Sequence, residues 1–529
     1  MLTQLKPLVQ SHPELLVAAV ALGLLSAAFY LYQKYHTKDF KAPNIADEFS
    51  GPQPAQIHEL IQEGYKKYGS ESTYYKIPQV HADTVILPIN KLDELKSLPD
   101  SKLSAMEDQD ERFLPHYSLG SVSAVGGNVE VGRASVKRDL TRNLQKLEPD
   151  VNEEIEIAFS KLMPTCEDWT EVEIMSKIFK IVALAVGRVF VGNPLNRDPE
   201  YIRTTMSFTK DTFTAMGAIR AYHPLLRPFA QYFLKEIQNV NTALETMKRL
   251  VKPVLEKNMA CYEDKSTTPS LSVFNLRNAP DAKYRANLDI HAHTLLVLSL
   301  AALHTTSTVT TNAIYDLAER PWYAEPLRAE AAAAKEEAGD LVEVPEIGDE
   351  ELKPTKASVA RMKKLDSFLK EGQRIHPILI IHFRRKAMQD IVLKDGTLIP
   401  AGTHVAIATD PTPWEDVDSF DGFRWSKLRE QPGQDTKHHF VATGPDSLSF
   451  GHGSHACPGR HYAVEQVKLI IMHLIENYEL KFRDEDQVKP KRIKSAGGYM
   501  PNPQIKVLLK KRQVAPLVDR KDSVIASIG

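Results

Sequence analysis

Hydrophobic and polar positions alternate with a helical period over most of the chain. Between residues 134 and 330, apolar residues recur every three or four positions, which predicts long helices. These helices are predicted over 135–147, 151–163, 170–191, 236–262 and 287–317. The same pattern predicts helices near both ends of the chain, over 55–68, 91–98 and 462–478.

Strand patterns are short and lie towards the two ends. Residues 72–77 and 83–89 are rich in Tyr, Ile, Val and Thr, and residues 377–409 turn strand-like around Asp395-Gly396 and Pro400-Ala401-Gly402. Strand patterns return after residue 478, whereas residues 328–355 read as a solvated helix and loop. The chain is therefore predicted to be mainly α with small β-sheets.

The N-terminal segment predicts a membrane anchor. Residues 15–33 carry no charge and, at about 1.5 Å per residue, are just long enough to cross the hydrocarbon layer. Tyrosines and lysines follow, which keeps the rest of the chain cytosolic. A removed signal peptide or a buried helix is the alternative. The predicted order is a single-pass anchor (1–36), a Pro/Gly linker (37–54), a catalytic body (55–512) and a tail (513–529).

The composition argues against several classes of protein. Of 529 residues, 66 are basic and 68 acidic, so the net charge is −2, which argues against a nucleic-acid binder. The hydrophobic fraction of 43% excludes disorder over the whole chain. Three cysteines are too few for a disulfide framework or a tetra-cysteine metal site. Cys166 and Cys261 show no motif and are interpreted as structural.

The most informative stretch surrounds the third cysteine, in the sequence Phe450-Gly-His-Gly453-Ser-His455-Ala-Cys457-Pro-Gly459-Arg. A thiolate in a Gly-rich loop at a helix N-terminus is stabilised by backbone N–H groups and the helix dipole. Glycines also let a flat, bulky group approach the backbone. These are the requirements of a thiolate ligand to haem iron. A buried structural cysteine, a nucleophilic thiol and a dinucleotide-binding loop are the alternatives.

The spacing Phe450-x-x-Gly453-x-x-x-Cys457-x-Gly459 resembles the signature of cytochromes P450. Further motifs follow in the family's order, so the resemblance covers residues 55–512. It implies the cytochrome P450 fold with an N-terminal transmembrane helix. It also implies haem b as the cofactor, with Cys457 as the axial thiolate and metal ligand.

Glu371-x-x-Arg374 alone is no more than an i, i+3 ion pair. Its place before the cysteine resembles the family's buried Glu–Arg pair, which implies a structural triad with Arg424. Such groups satisfy one another in the interior, and removal of one leaves a buried charge.

Ala301-Ala-Leu-His304-Thr305-Thr306 resembles the family's oxygen-activating turn on the long central helix. The resemblance implies catalytic roles for Thr305, for His304 and for Thr306. Ala302 replaces the usual glycine, and His304 replaces the usual acid. A histidine can also relay protons near neutral pH, but its resting charge differs from that of a carboxylate. The alternative is a core helix whose threonines bond the preceding turn.

The resemblance also implies basic residues around the haem propionates. They are Arg133 and Lys137, which take the spacing of the absent Trp-x-x-x-Arg, together with Arg384 and His455. Arg138 is a near alternative to Lys137. Buried carboxylates need such cations or hydrogen-bond donors.

The function implied is a monooxygenase that inserts one oxygen atom from O₂ into a lipophilic substrate. His304 resembles the variant in ascomycete P450s acting on terpenoids, including fungal ent-kaurene oxidases, which favours a terpenoid or indole-terpenoid intermediate. The expected partner is NADPH-cytochrome P450 reductase in the endoplasmic reticulum membrane, with cytochrome b5 as a second donor. The substrate pocket is expected to contain Leu298, Ala301, Ala302, Ile378, Leu379 and Ile380. A haem-thiolate isomerase or dehydratase and an inactive haem-binding protein are the alternatives.

Overall fold

The structure is a computed structural model that describes most of the chain between residues 39 and 513. The described ranges are 39–48, 56–68, 74–120, 128–339, 341–343, 350–352, 354–408, 419–486, 491–494 and 497–513. The predicted anchor (1–36) lies outside the described residues, as does the tail apart from its first residue. The linker is described only over 39–48.

Helices make up most of the described chain, in agreement with the predicted mainly α class. In chain order they are α1 (Ile45–Glu48), α2 (Ile57–Tyr68), α3 (Leu92–Leu95), α4 (Ala105–Phe113), α5 (Pro115–Ser118), α6 (Asn128–Ala134), α7 (Thr141–Leu162), α8 (Ile174–Phe190), α9 (Pro199–Arg220), α10 (Arg227–Ala230), α11 (Lys235–Met259), α12 (Leu271–Asn278), α13 (Ala282–Ala286), α14 (Leu288–Glu319), α15 (Ala324–Ala338), α16 (Lys356–Arg361), α17 (Lys363–Ile375), α18 (Arg424–Arg429) and α19 (Arg460–Asn477). A π-helical segment, Ser135–Leu140, joins α6 to α7.

The strands are short. They are β1 (Tyr75–Ile77), β2 (Thr84–Ile86), β3 (Leu103–Ser104), β4 (Thr170–Val172), β5 (Leu341–Glu343), β6 (Glu350–Leu352), β7 (Ile381–Ala387), β8 (Ile391–Val392), β9 (Leu398–Ile399), β10 (His404–Ala408), β11 (Tyr478–Phe482), β12 (Arg492–Lys494), β13 (Tyr499–Pro501) and β14 (Val507–Lys511). The largest sheet has the order β1-β2-β10-β7-β3, and a second has the order β11-β14-β4.

The long helix α14 is the centre of the molecule. It packs against α8, α9, α11, α17 and α19, and most of its residues are buried. Its N-terminus is capped by Asn287, whose side chain accepts a hydrogen bond from the amide of Ile290. Of the described helices, only α14 is long and apolar enough to cross a membrane, but most of that stretch is buried inside the protein. Helix α14 is therefore a core helix of the protein.

Two predictions about the helices are wrong in detail. The start of the predicted helix 170–191 is strand β4, because Thr170–Val172 pairs with β14 at the edge of the second sheet. Helix α9 was not predicted, although Asp198 and Pro199 form a strong start signal. The Asp198 side chain accepts hydrogen bonds from the amides of Glu200 and Tyr201.

Two predicted helices also prove to be one continuous segment. The patterns over 135–147 and 151–163 belong to the π-helical segment and α7, with Pro149 inside the helix. Helix α15 is less solvated than predicted for 328–355, since Ala331, Ala334 and Lys335 are buried.

Candidate active site

The cysteine loop leads into the N-terminus of α19. The amide of Cys457 donates a hydrogen bond of 2.7 Å to the carbonyl of Phe450, which closes the loop. Gly451 and Gly453 have φ angles of 67° and 76°, in the left-handed region that glycine adopts without strain. A Cβ at Gly453 would also lie 3.0 Å from the carbonyl oxygen of Lys96. Glycine at 453 therefore supplies both the backbone conformation and the space that the loop needs.

The protein environment acts on the Cys457 thiol in two opposite ways. Burial raises the pKa of Cys457 above its ordinary value, whereas the backbone N–H groups of Gly459 and Arg460 and the Arg460 guanidinium lower it. The effect of burial is the larger, so the free thiol would stay protonated at neutral pH. A bound metal ion removes a thiol proton outright. The loop thus suits a metal-bound thiolate better than a free nucleophile.

Glu371 is fully buried in the last two turns of α17 and accepts hydrogen bonds from four groups. Arg374 donates to both carboxylate oxygens, at 3.0 and 2.8 Å. Arg424 donates at 3.1 Å, as do the amide of Asp421 and the indole N–H of Trp425. The structure brings together the three residues of the predicted triad and adds Trp425, which sequence reasoning missed.

Helix α17 also connects this network to the cysteine loop. Asp366 accepts a 2.7 Å hydrogen bond from the amide of Phe440, whose ring packs edge-on against Phe450 with centroids 5.8 Å apart. Asp366 also forms an ion pair of 2.5 Å with Lys468 of α19. The segment before the loop and the helix after it are therefore both held by α17.

Helix α14 presents one accessible hydroxyl in its central turn. The Thr305 hydroxyl donates a 2.8 Å hydrogen bond to the carbonyl of Ala301, and both residues are exposed. Because its hydrogen is used within the helix, the Thr305 oxygen can accept a hydrogen bond from water or ligand. Thr306 is buried, and its carbonyl accepts from the Thr310 hydroxyl. Of the two threonines named from the sequence, Thr305 is the one positioned for contact with a ligand.

His304 is half-buried and lies against helix α8. Its ring meets the ring of Phe179 edge-on, with centroids 4.9 Å apart. Burial lowers the pKa of His304, which favours the neutral imidazole near pH 7. A neutral imidazole can pass on a proton between its two nitrogens, but it carries no charge with which to attract one.

A group of basic side chains lies beside the cysteine loop. Arg133 of α6 donates to the carbonyl of Ser454 at 3.0 Å and lies 3.3 Å from Nδ1 of His455. Nε2 of His455 lies 2.9 Å from the carboxylate of Asp100. Lys137 is exposed on the π-helical segment. Arg133 and His455 are thus together, and His455 already pairs with one carboxylate.

A β-bulge lies in β7 beside its two neighbouring arginines, Arg384 and Arg385. The pairing of β7 with β10 shifts between Val405 and Ile407, so that residues 383–384 lie opposite a single residue of β10. The bulge changes the alternation of side chains along β7. Arg384 lies within the bulge, whereas Arg385 follows it and pairs with Val405.

Arg385, which sequence reasoning did not name, lies near the cysteine loop. Its charge interacts with those of Asp100 and Arg133, and it lowers the pKa of His455 after the larger effect of burial. Arg384 instead donates a 3.1 Å hydrogen bond to the side chain of Gln79. A role for Arg384 at a propionate stays a prediction.

The residues named for a substrate pocket fall into separate places. Leu298, Ala301 and Ala302 lie on α14, where Ala301 is exposed and the other two are half-buried. Ile378 packs against the main core and Leu379 is 47% exposed. Ile380 is buried with Ile45, Leu60 and Tyr75 in a cluster against the largest sheet. Ile380 is therefore in a different cluster from the α14 residues.

Comparison with known families agrees with this geometry. The family model for cytochrome P450 matches residues 55–509. The chain belongs to the cytochrome P450 family. The fold of this P450 is similar to that of the cyanobacterial CYP120A1 bound to retinoic acid, with a TM-score of 0.62 at 14% identity. That match covers 90% of this chain and 98% of the other.

Several fungal P450 monooxygenases are similar over nearly the whole chain. Prx8 of Penicillium rubens is 40% identical, over 94% of this chain and 90% of that protein. ORF5 of Penicillium roqueforti is 39% identical, over 93% and 90%. BOA4 of Botryotinia fuckeliana is 34% identical, over 92% and 95%. The protein is therefore a P450 monooxygenase.

The P450 carries haem with a thiolate ligand, and the residues present fit this group. Cys457 is the one cysteine in a glycine loop, with two backbone donors aimed at its sulfur. His455 contacts the Asp100 carboxylate, the charge of Arg385 interacts with it, and Arg133 lies beside His455, so these basic groups suit a propionate. The haem supplies the binding and activation of dioxygen. The chain supplies the anionic sulfur, the cations and, at Thr305, an accessible hydroxyl oxygen.

Proposed function

We propose that this P450 is a membrane-anchored enzyme of fungal secondary metabolism that oxidises a lipophilic terpenoid or indole-terpenoid intermediate. The accessible face of α14 carries this proposal. Beside the Thr305 hydroxyl, this face carries Leu298, Ala301 and Ala302, which are apolar and mostly small. Small apolar side chains leave room for a bulky hydrocarbon and offer it no ion pair. His304 and the similarity to fungal P450s support the terpenoid class.

The substrate class is tested by turnover of a mixed panel with NADPH and reductase. The panel contains sesquiterpenes, diterpenes, indole-diterpenes and straight-chain fatty acids. Oxidised products are expected from the terpenoid classes. Oxidation of the fatty acids alone would contradict the proposal.

NADPH-cytochrome P450 reductase is the proposed electron donor, with cytochrome b5 as a second. Exposed cations occur at Lys137, on the π-helical segment, and at Arg142 and Lys146 in the first turns of α7 that follow it. The π-helical segment that carries Lys137 is close to the loop, because a Cβ at Gly459 would lie 3.5 Å from the Val136 side chain. A positive surface near the cysteine favours docking of an acidic electron-transfer partner.

A second membrane contact is proposed for the segment after α9. The segment, here called the apolar patch, exposes five large apolar side chains: Leu225 (44%), Leu226 (55%), Phe229 (68%), Tyr232 (72%) and Phe233 (84%). Soluble proteins rarely expose so many adjacent apolar groups, and aromatic rings favour the membrane interface. The catalytic body would therefore contact the bilayer through the apolar patch, in addition to its attachment through the N-terminal anchor.

Deletion of residues 1–36 is expected to leave part of the protein bound to phospholipid vesicles. Combining the deletion with Leu226→Ser, Phe229→Ser and Phe233→Ser should release it, because both apolar contacts are then removed. The measurement is vesicle co-sedimentation of the haem-loaded proteins. The control combines the deletion with Val80→Ser, Trp322→Ser and Val392→Ser, which changes three exposed but scattered apolar residues. Equal binding by patch and control variants would contradict the patch contact.

His304→Ala is expected to uncouple NADPH oxidation from product formation. A positioned acid–base group contributes about 10²–10⁴-fold, so product per NADPH should fall at least about tenfold. His304→Phe separates two roles, because it keeps a ring against Phe179 but has no titratable nitrogen. If His304 relays protons, both variants uncouple. Native coupling in His304→Phe, with substrate binding unchanged, would show that His304 only packs against α8.

A further inference from the structure

We infer that His81, Asp108 and His404 form a binding site for a divalent cation of the zinc class. Nδ1 of His404 lies 3.0 Å from Oδ1 of Asp108, and Nε2 of His81 lies 3.8 Å from the same oxygen. The three potential ligand atoms all lie within 4.8 Å of one another. Ligands of a tetrahedral zinc ion, bound at about 2.0–2.1 Å, are about 3.4 Å apart. A zinc ion therefore fits between these atoms after small side-chain rotations.

Two atoms of the cluster have no hydrogen-bond partner although they are buried. They are Nε2 of His81, whose side chain is 4% exposed, and Oδ2 of Asp108, whose side chain is 1% exposed. The one ion-pair contact of this Oδ2 atom among the described residues is Arg112 at 3.4 Å. Buried polar groups in proteins are almost always paired, and an unpaired one requires an explanation. A cation between His81 and Asp108 supplies a partner for the histidine nitrogen.

The surroundings of His404 match those of a metal ligand. Its second ring nitrogen, Nε2, lies 2.8 Å from the carboxylate of Glu111, and Glu111 pairs in turn with Lys386. Metal-binding histidines commonly donate their other N–H to a carboxylate, which orients the ring and fixes its tautomer. Two imidazoles and one carboxylate suit zinc, whereas magnesium and calcium prefer oxygen ligands.

Other charges near the cluster oppose cation binding. Arg112 lies 3.4 Å from the second oxygen of Asp108, and Arg384 interacts with the same carboxylate. Burial lowers the pKa of His404, but its hydrogen bonds to Asp108 and Glu111 outweigh burial and raise it. The rival state is a protonated His404 between two acids with no metal.

The cluster joins three parts of the fold. His81 lies between β1 and β2, Asp108 lies on α4, and His404 begins β10. A bound ion would fasten α4 to the largest sheet. Zinc that binds only the folded protein should raise its thermal midpoint as its concentration rises.

The test uses the full-length, haem-loaded protein after treatment with a chelator. Zinc chloride is added at pH 7.5, and bound zinc is counted by elemental mass spectrometry after gel filtration. One zinc per chain and a higher thermal midpoint are expected, with no effect of magnesium chloride. Absence of bound zinc in the native protein would overturn the inference in favour of the protonated cluster.

Variants at His81 locate the site. His81→Ala removes a ligand that makes no hydrogen bond, and zinc affinity should fall at least tenfold with loss of the thermal shift. His81→Phe keeps the ring contact with His404 and should behave in the same way. His116→Ala changes an exposed histidine outside the cluster and should bind zinc like the native protein. Native-like zinc binding by both His81 variants would overturn the assignment.

Discussion

Glu371→Gln is expected to destabilise the protein by about 3–5 kcal/mol and to lower its haem content, because two largely buried guanidinium groups lose their shared, fully buried carboxylate. Glu371 is fully buried and accepts from both Arg374 and Arg424. The loss should extend to the cysteine loop, since α17 also holds Phe440 through Asp366. The measurements are denaturant unfolding and the haem-to-protein ratio.

A matched control exists on α15. Glu325 and Arg328 have the same i, i+3 spacing and a 3.1 Å ion pair, but the Glu325 side chain is 74% exposed. Exposed pairs contribute about 0.2–1 kcal/mol, so Glu325→Gln should lower stability by no more than that and leave haem content unchanged. If both substitutions lowered stability and haem content equally, the burial of Glu371 would not explain the contribution of its ion pair.

Cys457→Ser is expected to remove the thiolate ligand and with it monooxygenase turnover. A hydroxyl in the loop remains protonated at neutral pH and is a poor ligand for haem iron, whereas a thiolate donates electron density to it. The carbon monoxide difference band of the reduced native protein should lie at ~450 nm, as a thiolate ligand requires, and should be lost in the variant. NADPH-dependent product should be abolished in the same preparation.

Cys261→Ser is the control for this substitution. Cys261 is distant from the cysteine loop in sequence. Among the described hydrogen bonds, its thiol donates only to the carbonyl of Lys257. The spectrum and turnover of Cys261→Ser should match those of the native protein. An unchanged spectrum in Cys457→Ser would show that another residue is the iron ligand.

Local patterns predicted the parts of the site that lie close together in sequence. The cysteine loop can be recognised because its glycines, its cysteine and the following helix are contiguous, and the structure shows the φ angles that Gly451 and Gly453 permit. The Glu371–Arg374 pair follows from one helical turn. Arg424 could be added only through the family resemblance, because it is 53 residues away from Glu371.

Features that depend on tertiary structure were missed. Arg385 was missed beside His455, because its approach to the cysteine loop depends on how β7 packs in the sheet, and no residue pattern in β7 shows its β-bulge. Trp425 was missed as a donor to Glu371, since a tryptophan in sequence gives no sign of where its N–H points. His404 and Asp108 are 296 residues apart and become neighbours only when α4 meets β10.

The origin of the product oxygen tests the monooxygenase account most directly. The native protein is incubated with reductase, NADPH, isotope-labelled dioxygen and a terpenoid from the panel that it converts, and the product is analysed by mass spectrometry. The account predicts one labelled oxygen atom in a singly hydroxylated or epoxidised product, with the other oxygen atom released as water, and no product when NADPH is omitted. An unlabelled product that forms equally well without NADPH and dioxygen would contradict it and indicate a haem-thiolate isomerase or dehydratase.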